Sequence, residues 1–272
     1  MQVELPGNQS ILIVGCYQIK IGIVIPVRLE SKRLPEKALI KFLGKTMLEH
    51  VWRRTTYAIP QIETVIVTDS TKIVELCKNF GAKFLLTSKS HMNALSRIGE
   101  AAQKLNWDFY IVVQADEMLI DPESLRILHD SINNNSTKSF FNLVTSLTTF
   151  KEVEDRNIVK CLLNARGCIM YIFRKSPLVS EKSTQLGLIK KICGIYAISS
   201  NSLKSTLESK HQPLENSESI EQLKILELDM QITAVQVDRN YPSVNTKRDA
   251  RKVRSIIKKD PYQKNILNRI LT

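Results

Sequence analysis

The sequence predicts an α/β fold, a mixed and mostly parallel sheet with helices on both faces. Three observations carry that expectation. Short apolar runs alternate with amphipathic stretches in the order β-α-β-α-β from "IGIVIPV" at Ile21 to "DFYIVVQADE" at Asp108, an order that builds a parallel sheet covered by helices. The run inside "DFYIVVQADE" is apolar at successive positions, as a strand buried on both faces is. A chain of 272 residues with 43% hydrophobic content is also long enough for one large core or one core plus a small appendage.

Taken in order, Ile21–Val27 is the first strand. A helical pattern follows over Thr46–Tyr57, then a strand over Thr64–Asp69 and a helix over Thr71–Phe80 closed by Gly81, a residue suited to a helix C-cap. "AKFLLT" is the next strand, Ala94–Leu105 the next helix, and "DFYIVVQADE" the central strand. Asp121-Pro122 opens a further helix with Glu123 close behind, proline being favoured in a first turn. Ser131–Ser139 is expected to be a polar loop and the boundary between two halves. Beyond it, "NLVTSLTTF", "VKCLLNARGCIMYIF" and "KKICGIYAIS" are expected strands, with a hairpin turn at Asn164–Gly167. They supply a smaller antiparallel layer, and Ser219–Leu228 returns as an amphipathic helix. The expected division is an extension over 1–20, one domain over 21–258 and a basic tail over 259–272, the domain having a first part to about 135 and a second over about 140–230.

A formal charge of +12, from 39 Lys+Arg against 27 Asp+Glu, points to an anionic partner. The basic stretch from Asn245 onward is read as a solvated helix face, with Val253, Ile256 and Ile257 at helical spacing; without a nucleic-acid motif, nucleic acid is not the expected partner. Five cysteines without a CxxC pair and four histidines without metal spacing argue against zinc. They fit reduced, buried thiols in a cytoplasmic protein. The apolar run Ile11–Gly15 is too short for a signal core, and no run approaches eighteen apolar residues, so a soluble protein without a membrane partner is expected.

The chemistry concentrates at one edge of the expected sheet. "RLESKRLPEK" places Arg28, Ser31, Lys32, Arg33 and Lys37 directly after the first strand, and Gln114-Ala115-Asp116-Glu117 follows the central one. Ligands of open α/β sheets collect outside the carboxyl ends of strands. Arginine offers a planar fork to phosphate oxygens and lysine a compact movable charge. A carboxylate among such cations serves either structural ion pairing or a divalent metal held against phosphate, and magnesium takes only one or two carboxylates. Neither GxxxxGK[ST] nor GxGxxG occurs, so side chains must hold any polyphosphate.

"PVRLESKRLPEKALIKFLGKTMLEHV" resembles the N-terminal signature of the nucleotide-sugar pyrophosphorylase-like cytidylyltransferases, most closely the CMP-Kdo synthetase (3-deoxy-manno-octulosonate cytidylyltransferase) family. The likeness continues in order through "VIVTDSTKI", "VQADEMLIDPESL", "MYIFRKSP", "GIYAIS" and "PLENSESIEQLKILE", from Ile21 to about Ile257. It implies a Rossmann-like nucleotide-diphospho-sugar transferase fold that moves CMP from CTP onto an acidic 2-keto sugar, with Mg²⁺ as cofactor and a homodimer formed through the second half. By the same resemblance Arg28, Lys37 and Asp116 are catalytic, and Arg28, Ser31, Arg33, Lys37, Asp69, His91, Arg97 and Gln114 bind nucleotide. Arg174, Tyr196, Glu221 and Gln222 bind the sugar acid, Arg174 as partner to its carboxylate, while Asp116 and Asn245 hold the metal.

This sequence departs from the family pattern at several of these places. "HMNALSR" keeps His91 and Arg97 but replaces Ser-Gly-Thr by Asn93-Ala94-Leu95; Ile192 replaces a histidine, Ala115 a glycine and Met118 a proline. Asn245 stands for the second metal-binding aspartate. Together the changes favour an altered keto-sugar substrate or a paralogue with reduced catalysis. Asp69 is open to two readings, ligand or cap of the following helix, and Glu117 to that of a helix-start acid without chemistry. Trp52 and Trp107 are expected in the core or an interface.

Overall fold

In the computed structural model β1 (Ile21–Val27) runs through a 3-10 turn at Lys37–Leu39 and the small hairpin β2 (Lys41–Phe42) and β3 (Lys45–Thr46) into α1 (Met47–Ala58). Then come β4 (Thr64–Thr68), α2 (Thr71–Phe80), β5 (Lys83–Leu86), α3 (Ala94–Leu105), β6 (Phe109–Val113) and α4 (Pro122–Asn134). The second half contains β7 (Phe140–Ser146), α5 (Phe150–Glu154), β8 (Lys160–Leu163), β9 (Ile169–Phe173), α6 (Lys182–Leu188), β10 (Lys190–Ser199) and α7 (Ser200–Glu208). It ends with α8 (Pro213–Glu218), α9 (Gln222–Glu227), β11 (Thr233–Gln236), α10 (Lys247–Lys259) and α11 (Pro261–Leu271). The structure describes residues 19–31, 33–91, 93–210, 213–239 and 241–271. Lys32 of the cationic loop, the apolar run Ile11–Gly15 and Cys16 lie outside the described residues.

One sheet of nine strands has the path β11-β7-β10-β6-β1-β4-β5, and β8 and β9 join it through β10. β1 pairs in parallel with β4 and β6, whereas β10 pairs antiparallel with β6, β7 and β8. Strand residues alternate between two cores, as period-2 geometry requires. Ile23, Ile25, Ile111 and Val113 pack with α1, α2 and α4, while Val24, Tyr110 and Val112 pack with α3, α7 and α9. The caps follow the residues: Thr46 accepts from the Glu49 N–H, Asn93 from Ser96, and Gly81 takes a left-handed φ of 78° after α2. Trp107 is buried, and Trp52 packs against Phe80.

Four local expectations need correction. Ser131–Asn134 is the last turn of α4, not loop, because fully buried Ile132 continues the stripe of Leu125 and Leu128. "NLVTSLTTF" stops as a strand at Ser146, since Thr149 and Glu152 form a capping box that starts α5 at Phe150. The helix expected over Ser219–Leu228 begins only at Gln222, after Ser219 takes a φ of 54°. The stretch expected as a basic tail contains α11, whose Gln263, Ile266, Leu267 and Ile270 form a buried stripe at helical spacing. With α10, α11 closes a third core around Phe42, Met47 and Met118. No helix among the described residues is long and apolar enough to cross a membrane.

Candidate active site

β10 lies beside β6 over Ile195–Ser199 and then beside β8 at Lys190 and Lys191. The crossing point is Gly194, whose carbonyl accepts the Gln114 N–H at 3.1 Å. A cleft of about 1710 Å³ opens there, at the carboxyl ends of β1 and β6. Around it the fold gathers Arg28, Ser31, Arg33 and Lys37 from the loop after β1, His91 and Arg97 from the start of α3, and Gln114 and Asp116 from the end of β6. Arg174, Glu221, Gln222 and Asn245 line the same cleft. Asp69 and Tyr196 stand behind its surface.

At the centre, the Lys37 Nζ donates to Asp116 Oδ2 at 2.7 Å and to Asn245 Oδ1 at 3.0 Å. Asp116 and Asn245, 129 positions apart in sequence, thus face one cation. The backbone reinforces this: the Val244 N–H donates to the Asp116 carbonyl at 2.9 Å, and the Thr246–Asp249 capping box fixes the chain where α10 begins. Among the described residues no three His, Cys, Asp or Glu side chains converge as a metal cluster.

Glu117 is more than a helix-start acid. α4 begins later, at Pro122, capped by Asp121, and Glu117 is buried, with Oε1 accepting the Ser243 hydroxyl at 2.7 Å. Burial, helped by the neighbouring Asp116 charge, pushes its carboxyl up to about 7. Gly194 leaves room for this carboxyl: a Cβ there would lie 2.5 Å from Glu117 Oε1, and the Glu117 side chain would have to shift. A glycine inside an apolar strand was the one sequence signal for this close approach. Ala115 and Met118, where the family has glycine and proline, are both buried, Met118 in the core beneath α10 and α11.

The segment before α3 is tied to the opposite wall. The Asn93 amide donates to Glu215 Oε1 at 2.8 Å, and the Ala94 N–H donates to Glu221 Oε1 at 2.8 Å. His91 Nε2 and Glu100 Oε2 lie 2.5 Å apart. Arg97 is buried and donates to Thr87 Oγ1 and Asp69 Oδ2, both at 2.7 Å. Asp69 therefore anchors Arg97, and Ser70 takes the N-cap position of α2. Leu95 is 3% exposed and belongs to the core beneath α3.

In the second half the Arg174 guanidinium donates to the carbonyls of Glu218, Arg156 and Ser219 at 3.1, 3.1 and 3.3 Å. Lys160, wholly buried, donates from Nζ to the carbonyls of Asp155 and Arg174, each at 2.6 Å. Burial pulls its ammonium down to about 8. Gln222 donates to Asn142 Oδ1 at 3.3 Å, and Asn142 in turn donates to the Cys193 carbonyl at 3.1 Å inside the irregular stretch of β10. Tyr196 is 1% exposed and stacks on Phe140 at 5.3 Å, its hydroxyl sealed from water. Burial also raises Glu221, to about 7, with Glu215 adding to the effect and the Ala94 N–H and Arg28 opposing it. Ile192 lines the cleft. Neither Lys160 nor Asn142 stood out in the sequence, since each acts through backbone carbonyls.

A family model described as cytidylyltransferase matches residues 22–232. The 3-deoxy-manno-octulosonate cytidylyltransferase of Chlorobium phaeobacteroides is 31% identical over 249 residues, covering 90% of this chain and 100% of the relative. The mitochondrial 3-deoxy-manno-octulosonate cytidylyltransferase of Arabidopsis thaliana is 32% identical over 240 residues, or 86% of this chain and 82% of the relative. Among solved structures, a CMP:2-keto-3-deoxy-manno-octonic acid synthetase complexed with CTP superposes with a TM-score of 0.82 at 28% identity, covering 89% of this chain and 99% of that one. With a cytidylyltransferase model matched over most of its length and relatives of this identity and coverage, the chain belongs to the CMP-Kdo synthetase family of cytidylyltransferases.

Proposed function

We propose that the protein transfers CMP from CTP to the anomeric hydroxyl of an acidic 2-keto sugar, Kdo or a Kdo-like acid, and releases pyrophosphate. The observation that carries this reading is the convergence of Lys37, Asp116 and Asn245 between a cationic wall at Arg28 and Arg33 and a polar wall at Arg174, Glu221 and Gln222. The sugar oxygen attacks the α-phosphorus in line while the bond to the pyrophosphate oxygen breaks. Arg28, Ser31, Arg33 and Lys37 hold the triphosphate, and their charge stabilises the leaving group. Gln114, His91 and the Asp69-braced Arg97 keep the nucleotide edge in place. Arg174 retains two of its five N–H donors after its three carbonyl contacts, and these receive the acid's carboxylate. Glu221 and Gln222 meet its hydroxyl groups, with Tyr196 supporting Glu221 from beneath.

Asp116 Oδ2 and Asn245 Oδ1 are hard oxygen donors already facing one cation, a set that fits magnesium. When bound there, magnesium would neutralise charge on the phosphoryl oxygens, and the Lys37 ammonium would move onto phosphate. Exposed Met170, Tyr171, Val179 and Leu188 on and after the β8–β9 hairpin support a homodimer through this half. A cytoplasmic location is part of the same reading, supported by four free, buried thiols among the described residues.

Pyrophosphate release, measured with CTP, Mg²⁺ and a panel of keto-sugar acids, is the test. Release with at least one acid supports the reading, and silence with every acid and nucleotide sinks it. Silence would favour the second reading, a weakened member that binds nucleotide or sugar acid without efficient turnover, which the neutral Asn245 specifically motivates.

A further inference from the structure

Helix α10, "KRDARKVRSIIKK", carries seven cations and one acid. Asp249, the acid, is committed to the cap, where its Oδ2 accepts from the Asn245 and Thr246 N–H groups. The cations divide by face. Arg254 turns away from the cleft, its guanidinium 4.7 Å over the Phe42 ring and donating to the Lys41 carbonyl. Arg248, Arg251 and Lys252, spaced three and four apart, share one stripe and line the cleft. All three are exposed, and none is paired with a carboxylate among the described residues. The buried stripe Ala250, Val253 and Ile257 holds the helix in this orientation.

The stripe starts one turn beyond Asn245, which accepts from Lys37, and it shares the cleft with Arg28, Arg33 and Lys37. Asp249 is the one carboxylate of this helix against seven cations, Asn245 is neutral and Asp116 is taken up by Lys37, so the stripe keeps a net positive charge. Cations gathered around one cleft repel each other until an anion enters. The anion that suits them is compact and multiply charged, because adjacent guanidinium forks each take two phosphate oxygens.

We propose that Arg248, Arg251 and Lys252 form a metal-independent subsite for the pyrophosphate end of the nucleotide and for inorganic pyrophosphate. The proposal rests on the cytidylyl-transfer reading for its place in the reaction. As the α–β phosphoanhydride bond breaks, its electron pair stays on the pyrophosphate oxygen, and the stripe neutralises that charge on the way out. It does by fixed cations part of what a second carboxylate-held charge would do by metal.

The test is calorimetric titration of the full chain with inorganic pyrophosphate in EDTA. Saturable binding to one site is expected, weakened at least about tenfold by the double substitution Arg248→Ala/Arg251→Ala, as loss of two charge-assisted contacts requires. Lys258→Ala/Lys259→Ala, at the far end of the helix, should stay within about twofold of the parent, the range for exposed charges. Absence of binding in EDTA, or an Arg248→Ala/Arg251→Ala protein that binds like the parent, overturns the proposal. So does a stripe that binds a duplex oligonucleotide and gives no heat with pyrophosphate. CMP transfer measured alongside separates the two readings. Pyrophosphate binding without CMP transfer to any acid leaves the subsite standing and sinks the proposed activity; transfer without pyrophosphate binding does the reverse.

Discussion

On the cleft wall made by the loop after β1, Arg28 and Arg33 are exposed and have no hydrogen-bond partner among the described residues. On the wall made by the second half, Arg174 commits three donors to backbone carbonyls and Lys160 is buried between two more. The first set of cations adds little to the fold and is free to settle on an anion. The second set builds its wall, joining the β8–β9 hairpin, the Asp155–Arg156 turn and the α8–α9 junction. A cation of the same type is thus left without a hydrogen bond in one place and made a fastener in the other. Lys37 stands between the two, already paired with oxygen but with oxygens a metal could take over.

The largest effect is expected at the join of the walls. Asp116→Ala should lower CMP transfer by at least about a thousandfold, or about 4 kcal/mol in the barrier. The melting temperature should fall by no more than a few degrees, because Lys37 keeps Asn245 as a partner. Pyrophosphate-release kinetics and a thermal melt read both, and an active Asp116→Ala protein would break the scheme.

Next comes Glu221, whose Oε1 accepts the Ala94 N–H and whose carboxyl is held above its ordinary range by burial. Its folded value of about 7 lies above its ordinary 4.5, so ionising it in the fold is unfavourable. Stability from this group is full below pH 4.5 and is lost as pH rises through 7. Glu221→Gln should match the parent at pH 4 and exceed it by about 3 kcal/mol at pH 8. Urea unfolding at the two pH values measures the difference, and a gap that does not grow with pH contradicts it.

Two arginines separate the walls most sharply. Arg174→Ala should cost about 2 kcal/mol of stability through its lost carbonyl contacts. Arg28→Ala should leave the melting temperature within about 1 °C of the parent, the behaviour of an exposed surface substitution. Equal losses in the two would erase the distinction between the walls. The smallest effect is expected for Asn245→Asp. Restoring a carboxylate should lower the magnesium concentration for half-maximal rate about fivefold, or about 1 kcal/mol, without collapse of turnover. A magnesium dependence that does not move would place the metal elsewhere.

Much of the nucleotide half was legible because its signals are local. Gly81 closes α2, Asp121-Pro122 opens α4, and the cations of Arg28–Lys37 follow a strand end directly. The acceptor half was harder because its contacts are distant. Glu117 meets Ser243 across 126 positions, and Asn93 meets Glu215 across 122; no periodicity reports such pairs. The approach of Asn245 to Asp116 came only from the family resemblance. α11 is different, since its stripe at Gln263, Ile266, Leu267 and Ile270 was present in the sequence but was outweighed by the charges around it.

The placement of β10 also bears on how the chain is made. β6, "FYIVV", is buried at every residue and pairs with β1 on one edge and β10 on the other. Its first partner has been synthesised long before it; its second begins at Lys190, 77 residues after β6 ends at Val113. During synthesis this wholly apolar edge of the sheet therefore waits bare, and such an edge is where chains stick to one another. Folding yield at high expression should hinge on how fast Lys190–Ser199 arrives and docks, so slowing translation between α4 and β10 lengthens the interval in which nascent chains aggregate.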